Sequence, residues 1–338
     1  MKSFSDLRFF CEHIVNKYGS PDSASEDEKA DEFRDVYLHN LPLNLKALNA
    51  VAAACGIKLN SLDGEKLPQN LRGYHDVFEG KRNIYYKKND TLSGIENTIL
   101  HEFREMIEPV FTEICPDYES LRTIAVHLAA NRFATAVLLP KESFRAKAYE
   151  TGLDVIALSK YYYKSCSQVL LRMGEVFHGK LFFYGALYEN SNHDKTDWRV
   201  TYWTGSCNEE CPEANVNMYS LDGFFPRRGH QVTSKSLADM AIKTGKTHLV
   251  EHITLIDGTE DNGLFAIAQP LLLAPNKPGK VTLITLLKEE AQKLKPQIEN
   301  PLSTKVLKGE FNEGDSIVVD VADDELTFTA GVAQAATS

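Results

Sequence analysis

The spacing of apolar residues changes character near residue 180, so the chain must build both helices and a sheet. Before that point Ile95, Ile99, Phe103, Met106 and Ile107 recur at helical intervals. After it come short runs rich in aromatic and β-branched residues, at 181–184, 199–203, 248–256, 264–273 and 281–287, with a helix expected over 236–244 between them. The expected class is therefore α+β. A chain of 338 residues with 43% hydrophobic content has material for two globular units. The expected division is 1–150, a helical segment or helix-turn-helix over 151–178, a small α/β sheet unit over 179–295, and an extension over 296–338. That extension holds a hairpin at 317–321 and 326–329 and ends in a tail too poor in apolar residues to stay ordered.

Net charge and cysteine usage exclude several functions. A formal charge of -10 rules out an all-over polycation and restricts any nucleic-acid contact to a local patch. The opening MKSFSDLRFFCEHIVNKYG mixes Asp6, Arg8, Glu12 and His13 among its apolar residues, so it reads as an amphipathic helix and not as a signal peptide. No run approaches the roughly 18 apolar residues of a membrane span. Six scattered cysteines without a secretory signal favour reduced thiols, and the expected compartment is the cytoplasm. Cys207 and Cys211 are read as two ordinary loop thiols, since no second ligand pair lies near.

In the first half, residues 20–28 read as a solvated acidic connection. A helix over 43–55 should close at Gly56. Residues 73–78 and 83–87 predict a β-hairpin around Glu79-Gly80-Lys81-Arg82. Ser93-Gly94-Ile95-Glu96 then suggests a capping box opening a helix that ends at Pro109, and a further helix follows Pro116 and stops before Pro140.

That first helix carries the chemistry. Positions four apart share one face, so His101 and Glu105 of His101-Glu102-Phe103-Arg104-Glu105 can grip one ion while Glu102 leans toward a water. H-E-x-x-E departs from the H-E-x-x-H of metallopeptidases, and five residues alone are a weak signal. Glu108 and Glu119 are alternative carboxylates read as solvated helix charges, and Arg104 is read as a surface residue.

The stretch Ile95 to Glu102, followed by Ala129-Ala130-Asn131-Arg132-Phe133-Ala134-Thr135-Ala136-Val137-Leu138-Leu139-Pro140, resembles the ImmA/IrrE peptidases. The resemblance covers residues 70–140 well. It implies a zincin-like helical metallopeptidase domain with a β-hairpin, binding Zn2+, with Mn2+ the alternative. The family reads E-x-x-A-N-x-F-A-x-x-L-L-x-P in its second helix, whose first glutamate is the third ligand; here that position is His127. Glutamate at 105 and histidine at 127 thus exchange ligand types while keeping two imidazoles and one carboxylate. The implied set is His101, Glu105 and His127 around the metal, with Glu102 as the base that takes a proton from water and delivers it to the leaving amine. Cys115, between the two helices, is a candidate inhibitory fourth ligand.

The same resemblance, closest in size and order to the branch of the family found in antiphage (CBASS) operons, implies a GAF-like sensor unit after the helical segment. It also implies a helix-turn-helix repressor as the protein substrate and activation by DNA damage, through single-stranded DNA. Locally, Phe224, Phe225, Arg227, Arg228 and Lys164 offer the aromatic and basic groups such a strand needs. The competing reading is a metal-free ligand-sensing or DNA-binding regulator that keeps the peptidase fold.

Overall fold

The computed structural model describes residues 7–39, 43–63, 67–68, 71–118, 123–190, 197–206, 226–250, 253–254, 260–261, 264–274, 277–292, 317–322 and 325–330. Two units emerge: Met1–Arg145 with Ser159–His178, and Ala146–Leu158 with Gly179–Ser338. Together they make a mixed α+β protein.

The first unit contains α1 (Leu7–Tyr18), α2 (Glu26–Phe33), α3 (Leu45–Ala54), β1 (Ile57–Leu62), β2 (Gly73–Phe78), β3 (Lys81–Lys87), α4 (Leu92–Ile114) and α5 (Thr123–Leu138). Its sheet has the order β1-β3-β2, with β2 antiparallel to β3 as the hairpin pattern requires, and β1 parallel to β3. Phe33 meets Phe10, Phe103 and Phe133 edge to face in the core, with the Phe33 and Phe103 centroids 5.1 Å apart, and Tyr37 packs tilted against Phe10 and Phe33. Helix α3 gives way to Gly56 at φ +67, the left-handed conformation glycine supplies without strain.

Three local expectations are corrected. Residues 20–28 are not a solvated connection: a 3-10 turn at Pro21–Ser23 leads into α2, which opens on a capping box in which Ser25 and Glu28 satisfy each other's backbone amides. Helix α4 begins two residues earlier than expected, capped by the Thr91 hydroxyl accepting from the Gly94 amide at 3.1 Å. Ser93 instead donates to Gln168, and Glu96 takes the ammonium of Lys164, so neither is free to cap. Helix α4 also continues through Pro109 to Ile114. Proline removes only the amide that would reach the Glu105 carbonyl, and burial of Val110 and Phe111 beyond it outweighs that loss.

Beyond α5 come α6 (Lys141–Glu150), α7 (Val155–Tyr162) and α8 (Cys166–Val176), with Ser165 capping α8. The second unit holds β4 (Phe183–Asn190), β5 (Trp198–Ser206), α9 (Leu237–Thr244), β6 (His248–Val250), β7 (Ile253–Thr254), β8 (Glu260–Asp261), β9 (Leu264–Ala274), β10 (Lys277–Leu287), β11 (Ile317–Ala322) and β12 (Glu325–Ala330). Five of these form an antiparallel sheet of order β5-β4-β10-β9-β6. Alternate residues Tyr184, Ala186 and Tyr188 of β4, with Leu264, Ala266 and Ala268 of β9, bury one face against Leu237, Ala238 and Ala241 of α9. Strands β11 and β12 pair as a hairpin. Among the described residues no helix is long and apolar enough to cross a membrane.

Candidate metal centre

Two helices in antiparallel register build the site. His101 Nδ1 lies 3.1 Å from Asn131 Oδ1, and Glu105 Oε1 lies 3.1 Å from His127 Nδ1. One turn forward on α4 thus matches one turn backward on α5, which places three donors at one level of the helix pair. Glu105 Oε1 is also 3.1 Å from His101 Nε2, and the two imidazoles meet edge to face at 4.5 Å. The donor atoms of His101, Glu105 and His127 all lie within 4.8 Å of one another.

The protonation chemistry suits a cation. Asn131 Oδ1 can accept the Nδ1 proton of His101, so an entering cation that displaced the Nε2 proton bonded to Glu105 would meet Nε2 as a lone-pair nitrogen facing the other donors. The hydrogen bond from His101, with the charges of both histidines, pulls the Glu105 carboxyl down to about 2 against the opposing effect of burial, so it is ionised whenever the protein is folded near neutrality. His101 is buried, whereas the His127 side chain is 61% exposed, which opens the centre to solvent on the α5 side. Two imidazoles and one carboxylate are a donor set that zinc accepts, so these residues fit the ion that the motif implies.

Glu102 is buried beside this set, and its Oε2 accepts from His75 Nδ1 at 2.7 Å. That bond raises the His75 pKa above its ordinary value against the effect of partial burial. His75 was not singled out from the sequence, because a strand histidine reaches a helix glutamate only through packing. A Cβ on Gly73 would stand 2.4 Å from Thr98 Cγ2 and 2.4 Å from the Tyr85 carbonyl oxygen. Only glycine lets β2 approach α4 so closely. His75, two residues on and on the same strand face, then meets Glu102, one helical turn beyond Thr98. Asn131 stands one turn from His127 on α5, and its contact to His101 follows only from the antiparallel register.

Other expected site residues lie elsewhere. Cys115 is the C-cap of α4, ten residues past Glu105 and so about 15 Å along the axis. It is not one of the converging donors among the described residues. Lys164 does not offer its charge to phosphate: its ammonium is turned inward onto Glu96 at 2.5 Å. Arg172, eight residues further on, is likewise buried, against the Leu139 carbonyl, Asp27 and Glu175. Arg227 and Arg228 are exposed, while Phe224, Phe225, Glu119, Cys207 and Cys211 lie outside the described residues. Arg104 and Glu108, read as surface charges, are fully enclosed.

No curated protein matches the chain. Among solved structures, a Mycobacterium tuberculosis transcriptional regulator is similar over 89% of this chain and 87% of that one, with a TM-score of 0.51 and 12% identity, a likeness of fold alone. Residues 52–173, which include every residue of the centre, match the family model described as the IrrE N-terminal-like domain (Peptidase_M78).

Proposed function

We propose that the protein is a zinc-dependent regulatory endopeptidase whose metal is held by His101, Glu105 and His127 and whose general base is Glu102. The convergence of the three donors within 4.8 Å, beside a buried glutamate with its own hydrogen-bond partner, carries this reading. A divalent cation in that set supplies a Lewis acid and makes water acidic enough to attack near neutral pH. His75 fixes Oε2 of Glu102, leaving Oε1 to accept a proton from water and return it to the leaving amine. The solvent-open His127 side admits an extended chain.

The proposed substrate is a helix-turn-helix repressor encoded beside this protein, in the cytoplasm, with DNA damage or phage stress as the trigger. The resemblance at residues 95–140, the family-model match at 52–173 and a structural neighbour named as a transcriptional regulator support this regulatory setting. The second unit serves as a GAF-like sensor, a role supported by its antiparallel sheet covered by α9. Single-stranded DNA is the proposed activator, with Arg227 and Arg228, both exposed, as its proposed contacts. Its binding should weaken as salt rises.

The test joins metal analysis to cleavage. Wild-type protein should hold about one equivalent of zinc, and His127→Ala should lose it. Glu102→Gln should keep zinc and lose about 10²- to 10⁴-fold in repressor cleavage. Full zinc occupancy in His127→Ala would remove that residue from the centre, and undiminished cleavage by Glu102→Gln would remove the base. Wild-type protein without metal or cleavage would instead support a metal-free regulator, as the glutamate at 105 and histidine at 127 make conceivable.

A further inference from the structure

The centre contains more donors than one catalytic ion uses. His75, Glu102 and Glu105 form a second group whose ligand atoms all lie within 4.8 Å of one another, and Glu105 belongs to both groups. We propose that these three residues form a second divalent-cation site, joined to the first through Glu105.

Four observations support this. The donors come from two separate elements, β2 and α4, brought together at the close approach of Gly73 to Thr98, so the set is built by tertiary packing and not by a run of acidic residues. His75 Nδ1 and Glu102 Oε2 face each other at 2.7 Å, with a proton where an ion would bind. The His75 side chain is 27% exposed, which leaves the pair open to an entering ion. A carboxylate has two oxygens, and in two-metal sites one carboxylate commonly serves both ions. Two carboxylates carry at most two negative charges, enough to balance one divalent ion, so a second ion leaves a charge excess and its site is the weaker.

The chemistry of the two sets predicts different preferences. Two imidazoles and one carboxylate suit zinc, whereas two carboxylates and one imidazole are the harder set and suit manganese. Resting on the peptidase reading, occupancy of the second site also takes Glu102 away from proton transfer, so excess metal turns the centre off.

The test loads the full chain with one equivalent of Zn2+ and then titrates Mn2+, following loss of the free-ion electron paramagnetic resonance signal. Manganese lies below zinc in the affinity series and does not displace it from the first site. Wild-type protein should take up one Mn2+. His75→Leu and Glu102→Gln should each weaken that uptake by at least about tenfold while the zinc stays bound. Two variants on different elements guard against a local folding defect, which circular dichroism reads independently. The proposal is overturned if wild-type protein leaves all Mn2+ free, or if both variants bind it as wild type does. A chain that takes up no zinc would refute the first site, and His75-dependent Mn2+ uptake would still uphold the second.

Discussion

Helix α4 carries two charged stripes side by side, and they solve the same problem differently. On one, Arg104 is fully buried and gives Nε and Nη2 to Glu26 at 2.8 and 2.9 Å and Nη1 to Glu108 at 2.7 Å. Tyr118 donates to the other Glu108 oxygen at 2.5 Å. Burial works to raise the Glu26 pKa, but the Arg104 guanidinium and the Lys29 ammonium prevail and hold it below the ordinary carboxylate range. On the other stripe Glu102 and Glu105 face histidines. The first stripe has its cation covalently built in, and the second gathers acids and imidazoles to take one from solution. Near-identical letters, E-F-R-E-M-I-E, thus make a structural lock and a candidate metal site one turn apart.

The largest effect should come from removing the built-in cation. Arg104→Met leaves Glu108 buried without a counter-charge and Glu26 with only the Lys29 ammonium, and should cost about 3–5 kcal/mol, read by urea unfolding followed by far-ultraviolet circular dichroism. Adding Glu108→Gln should recover part of that loss, because the buried charge goes with the cation while Glu26 keeps Lys29. Failure of the double variant to recover any of it would mean that Arg104 acts through packing and not through charge.

Gly73→Ala probes the other stripe. The added methyl meets a side-chain carbon and a carbonyl oxygen, each 2.4 Å away, so β2 must shift from α4 at a cost of about 1–3 kcal/mol. The same shift draws His75 off Glu102. Zinc affinity at His101, Glu105 and His127 should be retained, since none of these lies on β2, and loss of zinc would show that the two donor sets are mechanically one.

These stripes also show what could be read from the chain. Four-residue spacing put His101 and Glu105 on one helix face, and the pattern around Asn131 and Phe133 drew attention to His127; periodicity is local and survives without a structure. The lock was invisible because Glu26 lies in a polar stretch without apolar rhythm, and only tertiary pairing with Arg104, 78 residues away, reveals its helix as structural. His75 was hidden for the same reason, its role depending on the missing side chain at Gly73. Pro109 misled because proline penalises a helix locally, while the burial that sustains α4 beyond it is a property of the fold. In the second half, the strand runs matched β4, β5, β9 and β10, since alternation over a half-buried sheet is again a local signal.

A smaller effect should separate a lock that is complete from one that is not. Arg172 is enclosed like Arg104, but of its partner Glu175 only Oε2 is bonded, and the buried Oε1 has no partner among the described residues. Burial, opposed by Arg172, pushes the Glu175 carboxyl up to about 7. Unfolded, the group ionises near 4.5, so the folded chain holds its proton more tightly. Its stabilising contribution is then complete below the unfolded value and lost as pH rises through about 7. Glu175→Gln keeps the neutral form at every pH. It should match wild type in unfolding free energy by urea near pH 4.5 and exceed it near pH 8, by at most about 3 kcal/mol at 1.36 kcal/mol per unit. An equal gain at both values would remove ionisation as the cause.

The smallest expected effect concerns the thiol at the end of α4. A cysteine that closed the metal centre would hold it latent, and replacing it would raise cleavage and loosen zinc. Cys115 caps the helix ten residues beyond Glu105, about 15 Å away along the axis, where its amide bonds the Phe111 carbonyl and its own carbonyl accepts from Tyr118. Both bonds are made by backbone and survive substitution. Cys115→Ser should therefore leave zinc affinity and basal cleavage within about twofold of wild type, the range expected for a partly exposed position away from any site. Tenfold weaker zinc binding, or a burst of basal activity, would bring the thiol back to the metal and require α4 to unwind beyond Pro109. That break would occur where the helix already lacks an amide, opposite the carbonyl of Glu105, the residue both donor groups share.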